Sequence, residues 1–337
     1  MCKRSYIIFL ILFVCLKSGQ AQHYQFSQFY AAPMYLNPAF TGADVCSRLT
    51  INHRSQWTGI PGAFTSSQAS FDHYFRSIKG GLGLQFFKDQ AGLGALTTTQ
   101  FSALYAYQAR LSKKIMARAG FSAGSVQRSV NTSALTFGDQ IENGESGATA
   151  ESFGMLGTRY FDIGAGLLVY SQSWWAGLAS SHLNKPNQSL MNAISPLPAE
   201  TRLHAGYKLT IESFEGTRSK FSDHFVTVAA NYKKQGKFNQ IDVGVYYNKN
   251  LFVTGIWYRG IPLFRPKASF ENNDAVIFLV GLAIQRFKVG YSYDLTISSL
   301  SNAISKGANE ISMTYQFCQP KIKGKKKKSL LISCPKF

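Results

Sequence analysis

From Arg48 to Phe317 apolar and polar residues alternate with period two, and turn residues interrupt the alternation at short intervals. Within 202–211, Leu203, Ala205, Tyr207, Leu209 and Ile211 form one face, while Arg202, His204, Gly206, Lys208 and Thr210 form the other. The same beat sets Phe287, Val289, Tyr291, Tyr293 and Leu295 against Lys288, Gly290, Ser292 and Asp294. Nothing sustains a helical stripe with caps. The pattern predicts fourteen strands, at about 48–57, 63–75, 81–89, 95–111, 115–128, 159–170, 172–181, 202–211, 224–233, 240–248, 251–259, 275–285, 287–297 and 309–317. Most have close to the nine to eleven residues with which a tilted strand crosses a bilayer.

The connections sort by parity. With the first strand running outward from the periplasm, the connections after odd-numbered strands are extracellular and include 129–158, 182–201, 260–274 and 298–308. Those after even-numbered strands include the tight turns Ser112-Lys113, Asn248-Lys249-Asn250 and Arg286, with Glu212 to Asp223 the one exception. Long loops on one side and short turns on the other mark an outer-membrane barrel. A sandwich or propeller would not sort its loops this way. The reading is therefore all-β: a transmembrane outer-membrane β-barrel of about 14 antiparallel strands, with both termini periplasmic. The apolar face meets lipid. The other face carries Arg110, Arg118, Arg128, Asp162, Arg202, Lys208, Asp242, Lys288, Asp294 and Glu310, which predicts a polar lumen. Arg118, Arg202, Asp242, Asp294 and Glu310 read as structural lumen charges held in ion pairs. Trp57, Trp174, Trp175 and Trp257 stand near segment ends, where interfacial girdles are expected. A mean hydropathy of −0.08 fits a wall in which only alternate residues face lipid.

The segments ahead of the alternation behave differently. Lys3 and Arg4, the apolar run Tyr6 to Leu16 and Gly19-Gln20-Ala21 read as a leader over 1–21, too short to span a membrane as a helix. A lipid anchor at Cys15 is disfavoured because Val14 precedes it. Residues 22–47 form an N-terminal periplasmic or lumen segment, 48–317 the barrel and 318–337 a basic periplasmic tail. Gln25 to Gly42, QFSQFYAAPMYLNPAFTG, is aromatic and carries no Asp, Glu, Lys or Arg. It is expected to fold into or across the periplasmic end of the lumen as a plug or brace. Phe26, Phe29, Tyr35 and Phe40 would pack inside, with Asn37-Pro38 making the turn. The alternative is an extended lead-in strand.

Charge and cysteines refine this picture. The formal net charge is +19, and the tail holds Lys321, Lys323, Lys325 to Lys328 and Lys336. An exported basic chain points to anionic lipid headgroups or an acidic periplasmic partner and away from nucleic acid. With Cys2 and Cys15 in the leader, Cys46, Cys318 and Cys334 remain, an odd number without metal-ligand spacing. Cys318 and Cys334 flank the basic tail and could close it into a loop, with unpaired thiols as the alternative. No metal-binding histidine pair, Gly-x-Ser-x-Gly elbow or phosphate-binding Gly-Lys-Ser/Thr occurs. Gly164-Ala165-Gly166 reads as close packing or barrel curvature. Ser298, Ser299 and Ser301 with His182 do not have a spacing that asks for catalysis.

The ordered motifs carry a family resemblance. QFSQFYAAPMYLNPAFTG resembles the N-terminal signature of the PorP/SprF family, outer-membrane proteins of the type IX secretion and gliding machinery of Bacteroidota. The resemblance continues through HRSQW at 53–57, LTFGDQI at 135–141, DIGAGLLVY at 162–170, HLNKP at 182–186, LHAGYKL at 203–209, IWYRG at 256–260, GYSYDLTIS at 290–298 and NEISMTYQF at 309–317. The basic tail departs from the pattern. The resemblance implies a non-catalytic barrel without metal or organic cofactor. It implies work with translocon components and outer-membrane lipid, and capture of the C-terminal sorting domain of a large secreted adhesin, with no nucleic acid and no small-molecule substrate as partner. Loops 129–158 and 182–201 would be the contact surface, with Phe137, Asp139, His182, Asn184 and Pro186 as candidate contacts; the alternative is that they only cover the barrel mouth. The runner-up function is a general porin or solute channel, which requires an unobstructed lumen. A lipid-acting barrel enzyme would require a Ser/His/acid cluster at the outer rim.

Overall fold

A computed structural model of the chain describes residues 25–44, 46–92, 96–142, 156–191, 193–211, 224–260, 273–297 and 302–318. The strands are β1 (Ser47–Gln56), β2 (Phe64–Phe75), β3 (Gly80–Ala91), β4 (Leu96–Arg110), β5 (Met116–Val130), β6 (Gly157–Tyr170), β7 (Trp174–Ser181), β8 (Glu200–Thr210), β9 (His224–Gln235), β10 (Phe238–Lys249), β11 (Phe252–Gly260), β12 (Asn273–Ile284), β13 (Phe287–Thr296) and β14 (Ala308–Phe317). Each pairs antiparallel with its sequence neighbours, and β1 pairs with β14 to close the barrel. The fourteen predicted segments are these strands, with ends shifted by a few residues. Closure leaves no unpaired edge, which a wall inside hydrocarbon requires. No described helix is long and apolar enough to cross a membrane. We call the end where β1 begins and β14 finishes the near rim, and the opposite end the far rim.

Alternation assigns the faces. In β14, Glu310, Ser312, Thr314 and Gln316 are buried inside, whereas Ile311, Met313, Tyr315 and Phe317 are exposed on the outer wall. Outward Leu82, Leu84 and Phe86 on β3, and Val243 and Val245 on β10, continue that apolar band. The inner wall is less uniform than the sequence suggested. Ile277 and Leu279 of β12 point inward while Phe278, Val280 and Leu282 point outward. With Met116, Leu168, Tyr170, Trp175, Tyr246 and Trp257 they make an apolar sector inside the lumen. Trp175 and Trp257 therefore do not belong to an interfacial girdle; each is 2% exposed, in the interior. Register explains it. Trp175 pairs with Gly206 and Trp257 with Gly244, and a Cβ on either glycine would lie within 2.2 Å of the indole. The missing side chains make room for the rings.

The lumen is occupied. Residues 25–44 form no strand but a 3-10 turn at Phe29–Ala31, a short α-helix at Pro33–Leu36 and a second 3-10 turn at Pro38–Phe40. Both prolines open a turn, where the missing N–H has no partner to lose. The extended lead-in strand is thereby excluded.

The cysteine pairing also differs from the expectation. Cys46 is bonded to Cys318, with Cα atoms 4.7 Å apart. Ser47 and Phe317 are partners in the β1–β14 ladder, so the residues just outside that pair meet across the closing seam. Cys334, like the leader and the rest of the tail, lies outside the described residues.

Candidate functional site

The segment starts toward the far rim and descends to the near rim. At its upper end Lys233 Nζ donates to Gln25 Oε1 at 3.1 Å. Ser27 sits in a nest of wall charges. Its amide donates to Glu310 Oε2 at 2.6 Å, and its hydroxyl donates to Asp294 Oδ2 at 2.6 Å. The same oxygen accepts from Arg54 at 2.6 Å and Arg259 at 2.9 Å. Gln28 adds its amide to Glu310 Oε1 and its side-chain nitrogen to Ser292 Oγ at 3.1 Å, and accepts from Ser312 Oγ at 2.6 Å. The wall charges also bind one another. Arg54 lies 2.8 Å from Asp294 and 3.6 Å from Glu310, and Arg259 lies 2.8 Å from Asp242 and 2.9 Å from Asp294. Asp242, Asp294 and Glu310 thus share one cluster.

Arg118 and Arg202 act elsewhere, on segment carbonyls. Arg118 donates from Nε to Ala39 O at 2.8 Å and from its other nitrogens to Thr41 O and Gln108. Arg202 pairs with Glu200, donates to Tyr35 O, and lays its guanidinium 4.4 Å from the Tyr35 ring centre. Asn37 is the pivot of the lower half. Its Oδ1 accepts from Ala39 N at 2.8 Å, capping the second 3-10 turn. Its Nδ2 faces Leu167 O, Leu178 O and His204 Nε2 at 3.0, 3.2 and 3.0 Å.

The aromatic residues fill the remaining space. Phe26 stacks edge-on against Tyr35 and Phe87, Phe29 against Trp257 and Tyr30 against Tyr246. Phe40 is 2% exposed beside His204, and Pro38 is buried. Tyr35 is half-buried. Burial pushes the phenols of Tyr30 and Tyr35 above the usual tyrosine range, so both stay neutral. Glycines let the segment touch the wall. A Cβ on Gly166 would lie 2.0 Å from Asn37 Oδ1, and one on Gly120 2.2 Å from Ala39 N. Gly42 adopts φ 65° as the chain turns toward β1, and its amide donates to Asp72 Oδ2 at 2.7 Å.

The far-rim residues divide into struts and exposed groups. His182 is buried, with Nδ1 2.8 Å from Asp162 Oδ1. Pro186 is also buried, and its carbonyl accepts from Leu197 N at 2.9 Å. Both brace the 182–199 connection rather than offer contact surface, contrary to the sequence expectation. Asn184 is exposed, but its amide donates to Phe161 O at 2.6 Å and accepts from Ile163 N at 3.3 Å. The large apolar side chains exposed on this loop, among the described residues, are Leu183, Met191 and Ile194, the last 93% exposed. Phe137 and Asp139 are half-buried at the short helix Gly138–Glu142 on the other loop. Ser298, Ser299 and Ser301, and residues 143–155 of the 129–158 loop, lie outside the described residues. No group of acidic, histidine and cysteine side chains among the described residues could hold a metal.

Sequence reasoning missed Arg54, Arg259 and Ser27, the centre of the upper cluster. Strand parity contained the signal for the arginines, since Arg54 shares a face with Thr50 and Asn52, and Arg259 is an odd-numbered neighbour of Trp257. Nothing in the sequence signalled Ser27.

The family model described as "Type IX secretion system membrane protein PorP/SprF" matches residues 18–315. No curated protein matches the chain. Among solved structures, the toluene transporter TbuX of Ralstonia pickettii is similar at 12% identity and a TM-score of 0.48, covering 86% of this chain and 94% of that one. The toluene transporter TodX of P. putida is similar at 11% identity and a TM-score of 0.48, covering 84% and 93%. Omp33 of Acinetobacter baumannii is similar at 8% identity and a TM-score of 0.42, covering 83% and 100%. A secretion component and an outer-membrane barrel are both non-enzymatic in kind.

Proposed function

The chain belongs to the type IX secretion system membrane proteins of the PorP/SprF family, and from that premise we propose that it binds the C-terminal sorting domain of a large surface protein and assists its export and anchoring without catalysis. The near rim faces the periplasm, the far rim faces outward, and residues 25–44 act as the plug and brace of the lumen. Translocon components and outer-membrane lipid are its other partners.

The observation that carries this reading is the 182–199 connection. It is held by its own hydrogen bonds, Gln188 N to Ser195 O at 3.0 Å and Asn187 Oδ1 accepting from Ser195 N at 2.9 Å, yet it exposes Leu183, Met191 and Ile194. A braced loop that presents apolar side chains to water is a docking surface with little ordering entropy left to lose. The general-porin alternative needs an unobstructed lumen, and residues 25–44 stand in it.

The test is a deletion strain complemented with wild type or with Met191→Asp/Ile194→Asp, assayed for type IX surface proteins on the cell surface, in the medium and in the periplasm. The double variant is expected to reach wild-type levels in the outer membrane but to lose surface display of one large passenger and its co-purification with the barrel. Unchanged display in both the deletion strain and the variant refutes the reading.

A further inference from the structure

The partition of charge between wall and segment carries a step beyond passenger binding. We infer that residues 25–44 are a releasable stopper, hinged at the near rim, and that their withdrawal turns the barrel into a conduit for water and small ions.

Three observations converge. First, among the described residues the covalent ties between segment and wall lie at one end. The chain runs into β1 at Ser47, and the Cys46–Cys318 bond pins that same end to β14. The upper end is held without a covalent bond to the wall among the described residues, by hydrogen bonds at Gln25, Ser27 and Gln28 and by the packing of Phe26 and Phe29.

Second, the charges that grip the upper end do not depend on it. Arg54, Asp294, Arg259, Asp242 and Glu310 form one continuous set of ion pairs on the wall. The segment adds a hydroxyl and two amides to that set and no charge of its own. Withdrawal leaves the ions of this upper set paired with one another, and so avoids there the stranded charge that makes most buried clusters impossible to open; at the lower end it takes the Ala39 and Thr41 carbonyls from Arg118, which keeps Gln108. The segment also keeps its own turns, including Leu36 N to Ala32 O at 3.1 Å and Phe40 N to Asn37 O at 3.0 Å.

Third, the wall opposite the apolar sector is made for water. Asn52 is fully buried, yet neither of its amide atoms has a hydrogen-bond partner, nor does the amide nitrogen of Gln68, its cross-strand neighbour. A surface built only to pack against a permanent core would not keep such groups. A cavity of about 80 Å³ already lies between Tyr30, Pro33 and Phe40 of the segment and a mixed stretch of wall that includes Thr50, Ser312, Val253 and Val289. The stopper therefore packs against an apolar sector on one side and is held through hydrogen bonds to a hydrophilic wall on the other.

The experiment uses the full mature chain in planar bilayers, on a Cys334→Ser background. Gln28→Cys/Ser292→Cys, bridged by a bifunctional thiol cross-linker that makes up the length lost with the glutamine side chain, locks the upper end across the Gln28 Nε2–Ser292 Oγ contact of 3.1 Å. A separate Phe40→Cys variant reports the segment's exit by reaction with a soluble thiol reagent, and heat-modifiable gel migration reports an intact barrel. Urea is raised until Phe40→Cys reacts. At that concentration the unlocked protein, silent in plain buffer, is expected to show reversible conductance steps. The locked protein is expected to show at least tenfold fewer. Conductance in plain buffer, equal conductance of locked and unlocked forms, silence of the unlocked form while Phe40→Cys reacts, or loss of the barrel before Phe40→Cys reacts would each overturn the proposal. None of these readouts involves a passenger, so the result is independent of the proposed secretion role.

Discussion

Replacing Asn37 by alanine tests whether the lower half of the segment is held by one residue. The side chain caps the turn at Ala39 N and faces two strand carbonyls and His204 Nε2. Loss of a cap costs about 1 kcal/mol. Leaving buried acceptors without a donor adds about 1–3 kcal/mol. Docking of the segment should thus weaken by about 3 kcal/mol, roughly a hundredfold in the local opening constant. Hydrogen exchange followed by mass spectrometry reads that constant directly. In Asn37→Ala, a peptide covering 25–43 should exchange roughly a hundredfold faster, with the amides of Phe40 and Thr41 affected most. A peptide from β5, whose ladder does not involve Asn37, should exchange as in wild type. Asn37→Asp keeps the capping oxygen but turns a carboxylate toward two carbonyls, so it should do no better than alanine. A change below threefold in Asn37→Ala, or equal acceleration in the segment and in β5, would refute the account.

Gly166→Val places side-chain carbon where Asn37 Oδ1 now lies 2.0 Å from an ideal Cβ. Overpacking of this kind costs about 1–3 kcal/mol, and the segment should lose exchange protection while the barrel still shows heat-modifiable migration. Arg259→Ala removes a shared cation from Asp242 and Asp294 and should destabilise the fold by about 3–5 kcal/mol, lowering the temperature at which that migration is lost. Arg259→Lys should recover only part, since one ammonium cannot reproduce the three directed contacts to Asp242, Asp294 and Ser27. Cys46→Ser should abolish the mobility difference between reduced and unreduced protein on a gel. Cys334→Ser should leave it intact, because Cys46 pairs with Cys318.

What was legible in the sequence was what repeats. Period-two alternation and the parity of loop lengths each sample the barrel many times, so small errors at any one strand end do not disturb the count or the closure. The outer face of β14 could be read directly from Ile311, Met313, Tyr315 and Phe317. Single events were much harder to read. Trp257 looked interfacial because it stands near a strand end, and only the glycine facing it at 244 reveals that the ring turns inward. The disulfide needed the knowledge that β1 and β14 are neighbours, a contact between opposite ends of the sequence. Ser27 carries no signal because its importance is conferred by Arg54, Arg259, Asp294 and Glu310, drawn from three distant strands and its own neighbour β1.

The apolar half of the segment sets a condition on anything that moves it. Phe26, Phe29, Met34, Leu36 and Phe40 are all at most 6% exposed. Burying a side chain of this size contributes about 1.5–3 kcal/mol, so withdrawal exposes groups whose burial is worth on the order of 10 kcal/mol. Unaided, the open form would then be populated at far below one part in a million. A ligand shifts such an equilibrium only by its difference in affinity for the two forms. A small solute with a few hydrogen bonds cannot supply a difference of about 10 kcal/mol. A protein domain burying a standard interface can, above all one that covers the freed aromatic side chains with its own. The self-paired charges of the upper cluster and the absence of charge from residues 25–42 lower the electrostatic cost of freeing the upper end, while the aromatic packing keeps release rare. Opening is thereby reserved for a macromolecular partner, and the barrel stays sealed in its absence.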